Sequence, residues 1–171
     1  MDDAFAHHVW ATVRVIDACA SLTPEQLETS AEGTYGPIIG TLRHLVGSDS
    51  WYLFDMNGDP ARQIEEQEMG LPELRAAIQA DGEAWSELLG REPDPDTVVT
   101  EVDPEDGFER DAPFGIRLAQ ALHHGTDHRS QICTALTTLG IDPPDIDVWD
   151  FGVASGRSVD RPPSSGDGAG S

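Results

Sequence analysis

The sequence predicts an all-α domain: a four-helix bundle with a short extended or hairpin excursion before its last helix and a disordered C-terminal tail. Three observations predict it. Apolar residues recur at three- and four-residue steps through four separate stretches, cap and breaker residues bracket those stretches, and one β-branched run, Thr97-Val98-Val99-Thr100-Glu101-Val102, interrupts them. A chain of 171 residues has room for one such core and not for two ordinary ones. Residues 1–157 are therefore assigned to a single bundle domain and residues 158–171 to the tail.

The first helix is expected from about Asp2 to Ala20, where Phe5, Val9, Val13, Ile16 and Ala20 draw one apolar stripe; His7 points away from it and His8 lies on its flank. Thr23-Pro24-Glu25-Gln26 sets an N-cap before a proline at the first helical position, so a short helical turn follows. Loop residues Glu32 to Pro37 precede a second long helix, from about Pro37 to Met56, with Ile38, Leu42, Leu45, Val46, Leu53 and Phe54 in helical spacing. Asn57-Gly58-Asp59-Pro60 stops it. The third helix runs from Leu71 to Leu89 with Leu74, Ile78, Trp85 and Leu89 facing inward, and Gly90 ends it. After the β-branched run and the turn pair Asp106-Gly107, a fourth helix spans about Pro113 to Gly140, because Phe114, Leu118, Ala121, Gly125, Ile132, Leu136 and Leu139 keep the helical rhythm. The Pro-, Asp- and Trp-rich stretch from Ile141 to Gly156 is expected to wrap back on the bundle through Trp149 and Phe151. Beyond it, RPPSSGDGAGS has almost nothing to bury.

A net charge of −22 surrounds the chain with a negative field that repels phosphate backbones and anionic headgroups, which argues against nucleic acid and membrane surfaces as partners. All ten basic residues are arginine and Asp outnumbers Glu, a bias that fits either a high-GC genome or a salt-rich cytoplasm. The N-terminus MDDAFAHHVW has no basic region followed by an apolar run, and no stretch approaches the length of a spanning helix, so a soluble, cytoplasmic protein is the expectation. Cys19 and Cys133 are far apart and form no CxxC pair, which points to two buried apolar thiols and not to a disulfide framework or a thiolate zinc site.

Chemistry concentrates in HHGTDHRSQI, which holds three of the six histidines: His123, His124 and His128. At about 100° per residue, His124 and His128 lie about 40° apart, one helical turn above the other, within reach of one ion at the edge of the apolar stripe. His123 points roughly opposite that stripe, toward solvent. An HxxxH pair recurs by chance and holds a divalent ion weakly, so a third ligand is required. His44 is the candidate, being the remaining histidine inside a long helix away from the N-terminus. Three neutral imidazoles would leave a coordination position open, as in catalytic sites, where bound water is acidified or a thiol binds as thiolate. For each histidine taken singly, a hydrogen bond in a bundle groove is the plain alternative.

The embedding of these residues narrows the choice. GTYGPIIGTLRHLVGSDSWYL and QALHHGTDHRSQICTALTTLGIDPPDIDVWDF resemble the DinB-like (DinB/YfiT) family of metal-binding four-helix bundles, through TLxHL on one helix and HxxxHR with a nearby glutamine on another. The match in order and spacing runs from about Phe5 to Gly156 and leaves out the third helix, the Thr97 to Asp111 excursion and the tail. The resemblance implies a divalent ion, nickel or zinc most often and iron in some cases, held by His44, His124 and His128. It also implies a metal-dependent hydrolase, or a transferase using a low-molecular-weight thiol, acting on a small-molecule substrate, in a chain that pairs as a homodimer. The alternative is a non-catalytic metal-binding or stress-response bundle in which the ion is structural. Three side chains near the site helices, Arg43, Arg117 and Arg129, are expected as surface ion pairs, Asp127 as a solvated carboxylate, and His8 as an ordinary polar flank residue.

Overall fold

Each apolar stretch becomes a helix in the computed structural model, which describes residues 2–102 and 107–161. In chain order these are α1 (Asp2–Cys19), a single turn α2 (Pro24–Leu27), α3 (Ile38–Asn57), α4 (Leu71–Gly90), α5 (Phe114–Thr138) and a short α6 (Val148–Ala154). Two 3-10 turns, Pro60–Arg62 and Glu66–Glu68, join α3 to α4. The ends follow from local chemistry. Thr23 and Gln26 form a reciprocal capping box at α2, and Gly58 closes α3 in the left-handed region at φ 67°, returning its N–H to the Phe54 carbonyl.

The excursion is an antiparallel hairpin of β1 (Val98–Val102) and β2 (Glu109–Pro113), with Val98 opposite Pro113 and Val102 opposite Glu109. Gly107 turns at φ 73°; Asp106, the other half of the expected turn pair, lies outside the described residues. So do residues 162–171 of the expected tail.

Around the bundle the four long helices follow the order α1, α4, α3, α5, each packed on two neighbours. Their apolar residues form two layers. One holds Val15, Ile16, Leu42, Leu45, Ile78 and Leu136 among others; the second holds Phe5, Leu53, Trp85, Leu88, Phe114 and Leu118. On every long helix a buried polar residue sits between the members of one layer and those of the other: His8 and Thr12 on α1, Asp49 and Ser50 on α3, Asp81 on α4, Arg129 on α5.

These groups bond to one another across the bundle. The Asp49 carboxylate accepts from His8 Nε2 at 2.9 Å and from Trp85 Nε1 at 2.8 Å. Arg129 Nη1 lies 3.0 Å from His8 Nδ1 and donates to Thr12 Oγ1 at 3.1 Å, while Nη2 donates to Thr126 Oγ1. A guanidinium only donates, so His8 Nδ1 accepts and its Nε2–H is the donor to Asp49. Nearby, Ser50 donates to Asp81 at 2.6 Å, and Arg62 reaches the same carboxylate at 3.3 Å. Burial, with Asp49 adding to it, pushes the Asp81 carboxyl up to about 7.

Several expectations are corrected by this arrangement. His8 is 1% exposed, not a flank residue, and Arg129 is 3% exposed, not a surface ion pair. With His8, Thr12 and Val15 inward, the buried face of α1 is rotated from the predicted stripe, leaving Val9 and Val13 half-buried and Ala20 exposed. Trp149 is 79% exposed; Phe151, two residues on and so on the opposite side of α6, makes the contact, edge-on to Trp10 and His7. Cys19 is buried as expected, whereas Cys133 is only half-buried.

Gly125 is what lets α1 approach α5. A Cβ there would lie 2.2 Å from His8 Cε1 and 2.6 Å from its Nδ1. Gly125→Ala therefore destabilises the fold in a urea titration, although alanine ordinarily gains about 0.5–1 kcal/mol over glycine inside a helix. Gly40→Ala, whose Cβ would make an ordinary 3.6 Å contact with Pro37, should show that gain.

Candidate metal centre

The second and fourth of the long helices expected from the sequence meet where α3 and α5 pack side by side. His44 projects from α3, and His124 and His128 project from successive turns of α5. Their Nε2 atoms converge: His124 Nε2 is 3.1 Å from His44 Nε2 and 3.1 Å from His128 Nε2. One ligand atom from each ring lies within 4.8 Å of the others. Two imidazole nitrogens held about 2.0–2.1 Å from a shared ion, at angles near tetrahedral or octahedral, are roughly 2.9–3.4 Å apart, which is the spacing of the two pairs that His124 makes.

Neutral rings do not satisfy every contact of this cluster. The Gln131 side-chain oxygen accepts the Tyr35 backbone N–H at 3.1 Å and lies 3.0 Å from His128 Nδ1. An acceptor there fixes the proton of His128 on Nδ1 and leaves its Nε2 as a lone pair aimed at the centre. The single Nε2 position of His124 can offer a proton to one neighbour and not to both, so between neutral rings one of its two 3.1 Å contacts is left without a linear hydrogen bond, and a cation shared by the nitrogens would satisfy both. The donor set, three imidazoles without thiolate or carboxylate, suits a divalent ion such as zinc or nickel.

Electrostatics prepare the same state. Burial, then the neighbouring His128 and His44, push His124 down to about 4. Burial and then His128 lower His44, against an opposing pull from Glu66. Both rings are therefore neutral, with lone pairs available, at physiological pH. Without an ion, this depression costs stability on acidification. Between about pH 6.5 and 4 the unfolded chain binds a proton that folded His124 refuses, so the folded state is disfavoured as pH falls through that window.

Aromatic rings fix the imidazoles in orientation. Tyr35 stacks on His44 at 4.2 Å between centroids, inclined by 11°, and meets His128 edge-on. Tyr52 meets His124 edge-on and accepts a hydrogen bond from Gln120. From His44 a cleft of about 840 Å³ extends between α3, the 3-10 turns and the hairpin, lined by Ser48, Trp51, Tyr52, Glu66 and Ile116 among others.

The remaining sequence candidates fall elsewhere. His123 and Asp127 are exposed on the far face of α5, as expected. His7 bonds to the Ile146 carbonyl. Neither Arg43 nor Arg117 is a surface ion pair. Arg43 donates to the Met69 carbonyl, while Arg117, 6% exposed, pairs with Asp55 and Glu101 and donates to the Val99 and Arg110 carbonyls. Sequence reasoning missed the role of Gln131, although its position three residues after His128 puts the two side chains on one helix face.

The family model described as DinB family matches residues 1–157. The chain belongs to the DinB family. No curated protein matches it. The matched segment contains all four long helices and the three converging histidines of this DinB-family chain. Among its described residues, no helix is long and apolar enough to cross a membrane.

Because Gln131 sets the tautomer of His128, Gln131→Ala should weaken divalent-metal binding about 10–100-fold in competition with a chromophoric chelator. His123→Ala should bind metal as the wild type does.

Proposed function

We propose that this DinB-family chain holds a divalent ion on His44, His124 and His128. The ion would serve to activate water or a small thiol for hydrolysis or group transfer on a small molecule in the adjoining cleft. The convergence of three Nε2 atoms beside a cleft of about 840 Å³ carries this reading. When bound, the ion supplies a Lewis acid that makes water or a thiol a better nucleophile at neutral pH. The chain's own residues do the rest. Gln131 holds the proton of His128 away from the centre, Tyr35 and Tyr52 fix the ring planes, and Trp51, Tyr52 and Ile116 offer apolar surface on which a substrate can rest.

One observation favours a second reading. The histidines come from two helices, so an ion among them would also staple α3 to α5, which is a structural service. Stripping the metal would then lower the melting temperature, while metal-dependent hydrolysis and thiol-transfer assays stayed silent.

Protein purified without a polyhistidine tag should contain about one divalent ion per chain by elemental analysis, as one three-histidine site requires. His128→Ala should lose that ion, and full occupancy in the variant would refute the ligand assignment.

A further inference from the structure

We propose that Glu66 is the proton acceptor of the centre: its carboxylate takes the hydrogen bond, and then the proton, of the water or thiol that enters beside His44 from the cleft. The inference rests on the metal reading above and extends it to a residue outside the three histidines. In the step, the O–H or S–H bond breaks heterolytically and its electron pair stays on oxygen or sulfur. The proton passes to a Glu66 oxygen, giving the carboxylic acid, and leaves with the departing group or to solvent. Nothing is oxidised or reduced.

Position carries the argument. The 3-10 turn that starts at Glu66 packs on α3. There Gly47, one helical turn after His44, presents bare backbone. A Cβ on Gly47 would lie 2.7 Å from both Cγ and Cδ of Glu66 and 3.1 Å from its Oε2. The carboxylate thus occupies the space a side chain at position 47 would fill, and Glu66, Gly47 and His44 line the same cleft.

Elimination points to the same residue. The three histidines of the centre present Nε2 to it, and His128 has its second nitrogen on Gln131. Both nitrogens of His8 are engaged by Asp49 and Arg129, His7 bonds to Ile146, and His123 faces solvent. Of the carboxylates lining the cleft, Glu101 is paired with Arg110 and Arg117, and Glu65 is exposed. Glu66 is half-buried, and among the described residues no arginine or histidine nitrogen lies within 4.0 Å of its carboxylate oxygens. Its polar contact is the amide of Gln67 at 3.3 Å.

The test uses full-length chain loaded with cobalt(II), whose visible spectrum reports the ion's surroundings without turnover. Two titrations are read: pH without added thiol, and 2-mercaptoethanol at pH 7. Glu66→Gln and Gly47→Ala, the second displacing Glu66 without altering it, should each keep cobalt at wild-type stoichiometry. At least one titration should nevertheless move, by about one pH unit or about tenfold in thiol concentration, and Glu66→Asp should recover part of the shift. Unchanged titrations in both cobalt-loaded variants would overturn the proposal. Loss of cobalt from Glu66→Gln would overturn it as well, making Glu66 a ligand. A wild-type chain that takes up no cobalt would sink the metal reading itself, and this inference with it.

Discussion

One carboxylate at the middle of the bundle, Asp49, determines how the four long helices meet. It sits on α3 and accepts hydrogen bonds from His8 of α1 and Trp85 of α4, while His8 passes the connection on to Arg129 of α5. Apolar stripes attract without direction, so four of them would tolerate sliding by a turn. A polar layer does not tolerate it. Any other register would strand a carboxylate, an imidazole or a guanidinium in the core, at a cost of several kcal/mol for each unpaired charge. Burial pulls Arg129 down to about 10, which still leaves it charged at neutral pH, so its bonds to His8 and Thr12 must be kept wherever the protein is folded.

The candidate centre inherits its geometry from that layer. Arg129 follows His128 directly and Gly125 follows His124, so the rotation of α5 that aims the guanidinium at α1 turns the two imidazoles toward α3. Asp49 stands five residues after His44, which sends the carboxylate to the bundle axis and the imidazole to the α5 side. Rigid helices thereby place three nitrogens to within bonding distance of one point. The connecting segments, the Tyr35 loop and the Glu66 turn, only cover and complete it. Four histidines thus serve two ends: His8 inside the core organises the helices, and His44, His124 and His128 at the core's edge are available for chemistry.

Much of this was legible from the residues. The four helices, the hairpin and the short Thr23-capped turn each announced themselves by periodicity, capping or β-branching; the helical wheel put His124 and His128 at the edge of one apolar stripe, and His44 followed as the remaining histidine inside a long helix. The polar layer was not legible, because a search for apolar period treats His8, Thr12 and Arg129 as outward. That is why the predicted stripe on α1 came out rotated. The available clue was Gly125, a glycine in the middle of a long helix, which implies close approach of a neighbour. The outward turn of Trp149 was hidden for a related reason: in a helix of seven residues either aromatic could have been the anchor, and only three-dimensional packing chose Phe151. Pairings such as Glu66 with Gly47, or Tyr35 with Gln131, join residues distant in sequence through loops, and no local pattern encodes them.

The central claim, that a polar layer on the bundle axis brings three imidazoles around one cation, is tested most directly by anomalous diffraction from crystals grown with zinc, recorded on both sides of the zinc absorption edge. The account predicts one strong peak per chain, about 2.0–2.1 Å from the Nε2 atoms of His44, His124 and His128. A map without a peak there, or with its main peak on surface carboxylates, would contradict it.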